Sequence, residues 1–244
     1  MTEPRASDST KHIAIVFAGG KALRFGNDAT PKQYQTLLDR PVISHVLKAI
    51  AASSLVREVV IGADTKWHEF LRQEMARNDE LSKLLVTLVP GGSSAHRTRL
   101  HCLEAIAAKT RSNPIIILID GARPLVRARD VDAAVIAAQE NGSAVAVKAA
   151  TETIVFRNRG ELEALPRSCL LVAAAPQAAY LDRCLQLHQD ASDTEEPDRT
   201  LDLCSLLLSA GETPAFFYTS PENIKITYES DLAFASEILR RWIS

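Results

Sequence analysis

The chain predicts an α/β fold, a Rossmann-like three-layer sandwich with a mostly parallel sheet and a protruding β-arm. Two observations lead there. Short apolar runs alternate with longer stretches of helical period, and the spacing suits right-handed βαβ crossovers. After Val147 that alternation gives way to a β-branched stretch and a polar turn, where the arm is expected. A length of 244 residues is enough for one sizeable α/β domain or at most two small ones.

The elements follow in order. Residues Met1–Lys11 are polar, carry Glu3 and Asp8 and lack an apolar stretch, so they read as a disordered tail rather than a signal peptide. Apolar runs predict strands at Ile13–Ala18, Glu58–Ile61, Leu85–Val89, Ile115–Ile119 and Ala144–Val147. Helical periodicity between them predicts helices at Val42–Ala52, Lys66–Asn78, Ala95–Lys109 and Ala128–Glu140. The arm, around residues 150–175, is expected to pair Thr151–Arg157 with a returning Cys169–Val172 across the polar Asn158-Arg-Gly160. An isolated hairpin is marginally stable, so a second subunit is its expected support. Gln189–Thr200 is acidic and polar and reads as a mobile loop. A strand at Ala215–Thr219 and a helix at Glu229–Trp242 close a single domain spanning 12–244.

Composition narrows the classes of function. A hydrophobic content of 46% with 24% charged residues excludes a disordered or collagen-like chain. The net charge of −2 gives no reason to expect nucleic acid or an anionic membrane as partner. Cys102, Cys169, Cys184 and Cys204 are widely spaced with no C-x-x-C pair, which suits a reducing compartment better than disulfides or zinc. No apolar run approaches bilayer length, and a cytoplasmic location is the expectation.

Four motifs carry the chemistry. The first strand ends in Gly19-Gly20, followed by Lys21, Arg24 and Pro31-Lys32-Gln33. Paired glycines bring backbone N–H groups to an anion, and Arg24 and Lys32 add charge there, which suggests a polyphosphate site. A Walker A loop is excluded because Ala22 follows Lys21, and the glycines do not make G-x-G-x-x-G. A plain strand-to-helix turn with solvated cations fits the glycines alone equally well. The second motif is the apolar strand ending in Asp120-Gly-Ala-Arg-Pro124. A carboxylate at a strand's carboxyl end can hold Mg²⁺ against phosphates, or it can cap a helix or pair with Arg123. The third is Pro90-Gly-Gly-Ser-Ser-Ala-His-Arg-Thr98, whose Gly91, Gly92 and hydroxyls suit a base or ribose, or a helix cap. The fourth is Asn223-Ile-Lys-Ile-Thr227, where alternation with Ile224 and Ile226 turns Lys225 away from the buried face.

Taken in this order, the motifs resemble the cytidylyltransferases that couple CTP to polyol phosphates. The two branches in question act on 2-C-methyl-D-erythritol 4-phosphate and on ribitol 5-phosphate. The resemblance runs from about Ile13 to Leu239. It is carried by Ala18-Gly-Gly, Arg24-Phe-Gly26, Pro31-Lys-Gln-Tyr34, Asp120 with Ala122-Arg-Pro124, Thr153-Ile154, Arg167, Pro176-Gln177, Asn223–Thr227 and Asp231-Leu232. It implies a nucleotidyltransferase domain of glycosyltransferase-A-like fold, a homodimer, and Mg²⁺ as cofactor.

The resemblance further implies that Arg24, Lys32 and Lys225 are the catalytic cations around the triphosphate. Phe17, Ala18, Gly19, Gly20, Gly92, Ser93, Thr98, Asp120 and Gly121 would bind the nucleotide. Arg123, Thr153 and Arg167 would bind the acceptor, and Asp120 with Glu222 the metal. The sequence departs from the family pattern at Ala22, Ala95, Ile119, Gly121, Glu152 and Ala175. Ala18-Gly19-Gly20 and Asp39-Arg40-Pro41 lean to the ribitol branch, and Ala122–Val126 to the methylerythritol branch. The implied nucleophile is already an anion, so no general base is needed and none of the six histidines is assigned a catalytic role. The alternatives are a sugar-1-phosphate nucleotidyltransferase using another nucleotide, and an inactive nucleotide-binding homologue.

Overall fold

A computed structural model describes residues 12–19, 30–191 and 202–243 of the chain. The N-terminal tail, Gly20, Arg24 and residues 192–201 lie outside the described residues.

The main sheet has seven strands in the order β11-β7-β10-β6-β1-β4-β5. These are β1 (His12–Phe17), β4 (Val56–Ala63), β5 (Leu85–Pro90), β6 (Ile115–Asp120), β7 (Ser143–Ala149), β10 (Leu171–Tyr180) and β11 (Ala215–Tyr218). Two short strands, β2 (Thr36–Leu37) and β3 (Arg40–Pro41), form a separate ribbon. All neighbours in the main sheet pair in parallel except β10, which runs antiparallel between β6 and β7.

Alternation within the apolar runs assigns the two faces. Ala14 and Val16 of β1 and Ile115, Ile117 and Ile119 of β6 pack under helices α1 (Val42–Ala51) and α4 (Ala128–Asn141). Ile13 and Ile15, with Ile116 and Leu118, pack under α3 (Ala95–Ala107), α5 (Leu181–Ala191) and α6 (Leu203–Ser209). Strands apolar at every position are therefore buried on both faces, as a covered parallel sheet requires. Helix α2 (His68–Ala76) follows a 3₁₀ turn at Thr65–Trp67, so the expected Lys66–Asn78 helix is shorter and begins as a tighter coil. Helix α7 (Ser230–Ile243) buries Ala235, Ile238 and Leu239 against Leu125 and Ile226.

Three expectations are corrected. The arm is a hairpin of β8 (Ile154–Asn158) and β9 (Glu161–Leu165), not Thr151–Arg157 with Cys169–Val172. Its turn places Arg159 at φ 48° and Gly160 at φ 95°, the left-handed pair that a two-residue hairpin turn demands. Cys169 ends a 3₁₀ turn, and Leu171 and Val172 open β10 of the main sheet. Gln189–Ala191, expected in a loop, complete helix α5. Residues Asn223–Thr227 form no strand, and Asn223 is fully buried rather than sharing an exposed side with Lys225.

Candidate active site

The carboxyl ends of β1 and β6 lie side by side, with Phe17 registered opposite Asp120. The Gly121 amide donates to the Phe17 carbonyl at 2.9 Å, and a Cβ on Gly121 would stand 2.8 Å from that oxygen. The residue after the acid is therefore glycine because two backbones meet there.

Asp120 is the centre of the cluster. One carboxylate oxygen accepts from Lys225 Nζ at 2.8 Å and the other from Arg123 Nε at 2.9 Å. Its side chain is about 19% exposed, against 11% for Arg123 and 44% for Lys225. Burial pushes its carboxyl upward, but the Arg123 and Lys225 charges and hydrogen bonds outweigh that, and the group is held well below the usual carboxylate range. Asp120 is thus a fixed anion.

Lys225 reaches it because its neighbours are anchored. Ile226 is fully buried and its amide donates to the Ala122 carbonyl at 2.8 Å. Asn223 Nδ2 donates to Ala175 O at 2.7 Å and to Thr219 Oγ1 at 3.0 Å. The Asn223 carbonyl accepts from Arg123 at 3.2 Å and from Lys148 at 3.5 Å. Asp231 Oδ2 accepts from the Thr227 and Tyr228 amides, which closes the motif against the start of α7. The segment is a strap that holds Lys225 over the sheet edge.

The Pro31–Tyr34 motif has an equally local cause. Gln33 Nε2 and the Tyr34 hydroxyl both donate to the carbonyl of Ala18, and both side chains are buried. Tyr34 stacks on Trp67 with centroids 4.2 Å apart. Lys32 therefore sits on a 3₁₀ turn (Lys32–Tyr34) tied to the end of β1.

The Gly92 turn folds in from the next strands. Thr98 Oγ1 accepts from the Gly92 amide at 3.0 Å and donates to Ser94 O at 2.9 Å. A Cβ on Gly19 would lie 3.4 Å from Thr98 Oγ1, so Gly19 and the Gly92 turn are adjacent. Ser94 caps α3, while Ser93 stays exposed.

Phe17, Asp120, Arg123 and Lys225 line a cleft of about 140 Å³, together with Arg99 and Asp202. Sequence reading missed the last two. Arg99 lies one turn into α3, its guanidinium 4.8 Å from the Phe17 ring centroid. Asp202 caps α6, and its capping pattern with Ser205 was the available signal. Thr153 and Arg167 are exposed on and beside the arm and are not brought to this cleft within the chain; Arg167 donates to Thr151 O at 2.9 Å. Glu222, expected beside Asp120 as a metal ligand, instead pairs with Arg127 at 2.8 Å. Among the described residues no group of three or more His, Cys, Asp or Glu side chains is arranged to hold a metal. Nor is any described helix long and apolar enough to cross a membrane.

The chain is similar to known proteins along nearly its whole length. Residues 12–241 match the family model described as IspD, 2-C-methyl-D-erythritol 4-phosphate cytidylyltransferase. The chain is 32% identical to the 2-C-methyl-D-erythritol 4-phosphate cytidylyltransferase of Pelotomaculum thermopropionicum, over 94% of each chain. It is 27% identical to the ribitol-5-phosphate cytidylyltransferase of Vibrio parahaemolyticus, over 93% of this chain and 95% of that one. The solved 4-diphosphocytidyl-2C-methyl-D-erythritol synthase from Anaerococcus prevotii superposes with a TM-score of 0.80 at 18% identity, covering 96% of this chain and 98% of that one. At that identity the likeness speaks for the fold. A family match over residues 12–241, with a relative 32% identical over 94% of each chain, means that this protein belongs to the IspD family of nucleotidyltransferases.

Proposed function

We propose that the protein transfers CMP from CTP to a polyol phosphate and releases pyrophosphate, with D-ribitol 5-phosphate preferred over 2-C-methyl-D-erythritol 4-phosphate as acceptor. The observation that carries this reading is Asp120 bracketed by Lys225 and Arg123 in a cleft beside the glycine turn of β1. Relatives bearing both acceptor names match at comparable identity, so the preference rests on the Ala18-Gly19-Gly20 and Asp39-Arg40-Pro41 motifs.

In the proposed reaction an acceptor phosphate oxygen forms a bond to the α-phosphorus of CTP in line, and the bond to the β-phosphate oxygen breaks. The nucleophile arrives ionised, so the protein must position two polyanions and neutralise the charge between them. Lys225 and Arg123 are already directed at one point by Asp120 and can follow charge as it builds on the α-phosphoryl oxygens. Lys32, on its tethered turn, and Arg24 complete the cationic set. The histidines fit a structural role: His45 Nε2 bonds the Leu37 carbonyl, His101 Nδ1 the Pro90 carbonyl, and burial leaves His188 with a pKa of about 4.

Mg²⁺ fits the donor set. One carboxylate fixed as an anion at a phosphate site is what that ion takes from proteins, with substrate oxygens and waters for the remaining positions. Asp120 would hold it, and bound there it would screen the triphosphate charge. Val155, Phe156 and Leu162 of the arm are half-exposed or more, which supports a homodimer in which a second copy covers them. A cytoplasmic location completes the reading.

The test is pyrophosphate release in Mg²⁺ with each of the four NTPs and a panel of polyol and sugar phosphates. CTP with one polyol phosphate is the expected productive pair. Release with another NTP and a sugar 1-phosphate, or with no pair at all, overturns the reading.

A further inference from the structure

The cleft at Asp120 is also lined by residues that the reaction just described does not use. One wall is Ala173, Ala174 and Ala175 of β10, side chains too small to fill it. The floor is polar. Gln177 is buried, its Nε2 donating to Ala174 O at 3.0 Å and to Asp202 Oδ2 at 3.2 Å, while its Oε1 accepts from the Cys204 amide at 3.1 Å. Asp202 Oδ1 accepts from the Ser205 amide at 2.9 Å. The Asp202 carboxylate is therefore clamped from two sides at the head of α6. Arg99, set by α3, lines the same cleft, packed over the Phe17 ring and in the field of both Asp120 and Asp202.

The size and chemistry of this recess select what enters. The whole cleft, Asp120 and Lys225 included, has a volume of about 140 Å³, well below the several hundred Å³ usual for a pocket that takes a drug-sized ligand, so the part beside Arg99 and Asp202 suits a short chain and not a nucleoside. A guanidinium and a carboxylate lining one small cleft suit hydroxyl groups, each of which accepts one hydrogen bond and donates another. Alanines on the third side leave room for carbons bearing those hydroxyls.

We propose that Arg99 and Asp202 form the specificity pair of the acceptor pocket: Arg99 donates to, and Asp202 accepts from, hydroxyls of the polyol chain whose phosphate reacts beside Lys225. This rests on the polyol-phosphate reading given above and extends it to the residues that tell one acceptor from another. The chemistry at phosphorus is left to Lys225, Arg123, Lys32 and Arg24.

The experiment uses the full chain and two readouts. Steady-state pyrophosphate release is measured with CTP and ribitol 5-phosphate, and with a deoxy analogue lacking one hydroxyl. Calorimetric binding of the same acceptors is measured on protein saturated with a non-hydrolysable CTP analogue. The variants are Arg99→Met, Arg99→Lys and Asp202→Asn; asparagine keeps the helix cap, and a thermal melt verifies folding.

In the unaltered protein the deoxy acceptor should lose about 100-fold or more in kcat/KM, because it leaves buried polar groups unpaired. In Arg99→Met the KM for ribitol 5-phosphate should rise about 10- to 100-fold, the KM for CTP should move little, and the penalty for the deoxy acceptor should shrink. Arg99→Lys should recover only part of the affinity, since it restores charge without the planar fork. Folded variants that discriminate hydroxyls as the unaltered protein does, or whose defect falls on CTP, overturn the proposal. Arg99-dependent acceptor binding without turnover would keep the specificity pair and overturn the transfer reaction. Turnover that ignores Arg99 and Asp202 would do the reverse.

Discussion

Replacing Lys225 by alanine separates catalysis from stability. Lys225 is 44% exposed and shares Asp120 with Arg123, which keeps its own bond at 2.9 Å. Because Asp120 is only 19% exposed but keeps Arg123, losing Lys225 should cost about 1–3 kcal/mol, a fall of several degrees in melting temperature. In turnover the same ammonium is expected to meet charge developing on the α-phosphoryl oxygens in a partly sheltered cleft. Removing one such donor costs about 2.7–4 kcal/mol, a loss of about 10²- to 10³-fold in kcat. The assay is pyrophosphate release at saturating CTP and acceptor, paired with a thermal melt on the same preparation. A folded Lys225→Ala protein with kcat within about threefold of the original would remove Lys225 from the reaction. A melt lowered by tens of degrees would mean that the lysine is structural.

Three further outcomes are expected. Asn223→Ala leaves the Ala175 carbonyl and Thr219 hydroxyl without their buried donor; it should cost about 1–3 kcal/mol in denaturant unfolding and lower kcat as the Lys225 strap loosens. An unchanged kcat would uncouple the strap from catalysis. Gly92→Ala would put a Cβ 2.5 Å from Arg97 Cβ and 2.9 Å from its carbonyl carbon, so nucleotide affinity measured by calorimetry should drop about tenfold or more, and full affinity would refute the packing argument. His188 is buried, with its pKa lowered to about 4 by burial; its neutral form therefore stabilises the fold fully above about pH 6.5, and this is lost as pH falls toward 4. From pH 7.5 to 5 the unfolding free energy should drop by about 2 kcal/mol through this group, and His188→Met should flatten that slope. Parallel slopes would assign the acid sensitivity elsewhere.

Much of the fold was legible because burial on both faces leaves a plain trace. β1, β6, β7 and the second half of β4 are near-continuous buried apolar runs, each located to within a few residues, while β5 at the sheet's edge was legible from its β-branched residues though only part-buried. β10 was not, although it lies between β6 and β7, because Leu-Val-Ala-Ala-Ala-Pro-Gln-Ala-Ala-Tyr has few β-branched residues and a proline in the middle. The structure accommodates Pro176 where the register against β7 shifts, between Ala173 and Gln177, so the rule against proline in a central strand is met by an irregularity that composition does not reveal. β9 was hidden for a different reason. Glu-Leu-Glu-Ala-Leu is a helix-favouring string that becomes a strand because the Arg159-Gly160 turn returns it onto β8.

The site divides along the same line. Asp120 with Lys225, and Gly92 with Thr98, could be grouped from motifs and do come together. Arg99 and Asp202 could not, since an arginine inside a helix and an aspartate at a helix cap look ordinary until α3 and α6 converge on one cleft. The pairing of Glu222 with Arg127, the residue that opens helix α4, was likewise not legible, since the two stand 95 residues apart.

The doubly occupied carbonyl of Ala18 links two properties usually measured apart. Gln33 and Tyr34 clamp it, and Tyr34 is in turn wedged among Trp67 and Phe70, well away from any substrate. The aromatic trio thereby acts as a footing for the end of β1 and for the Lys32–Tyr34 turn. Erosion of that footing, by trimming Trp67 for instance, would unsettle the end of β1 and the core beneath helix α1 together, so local order and melting would move as one.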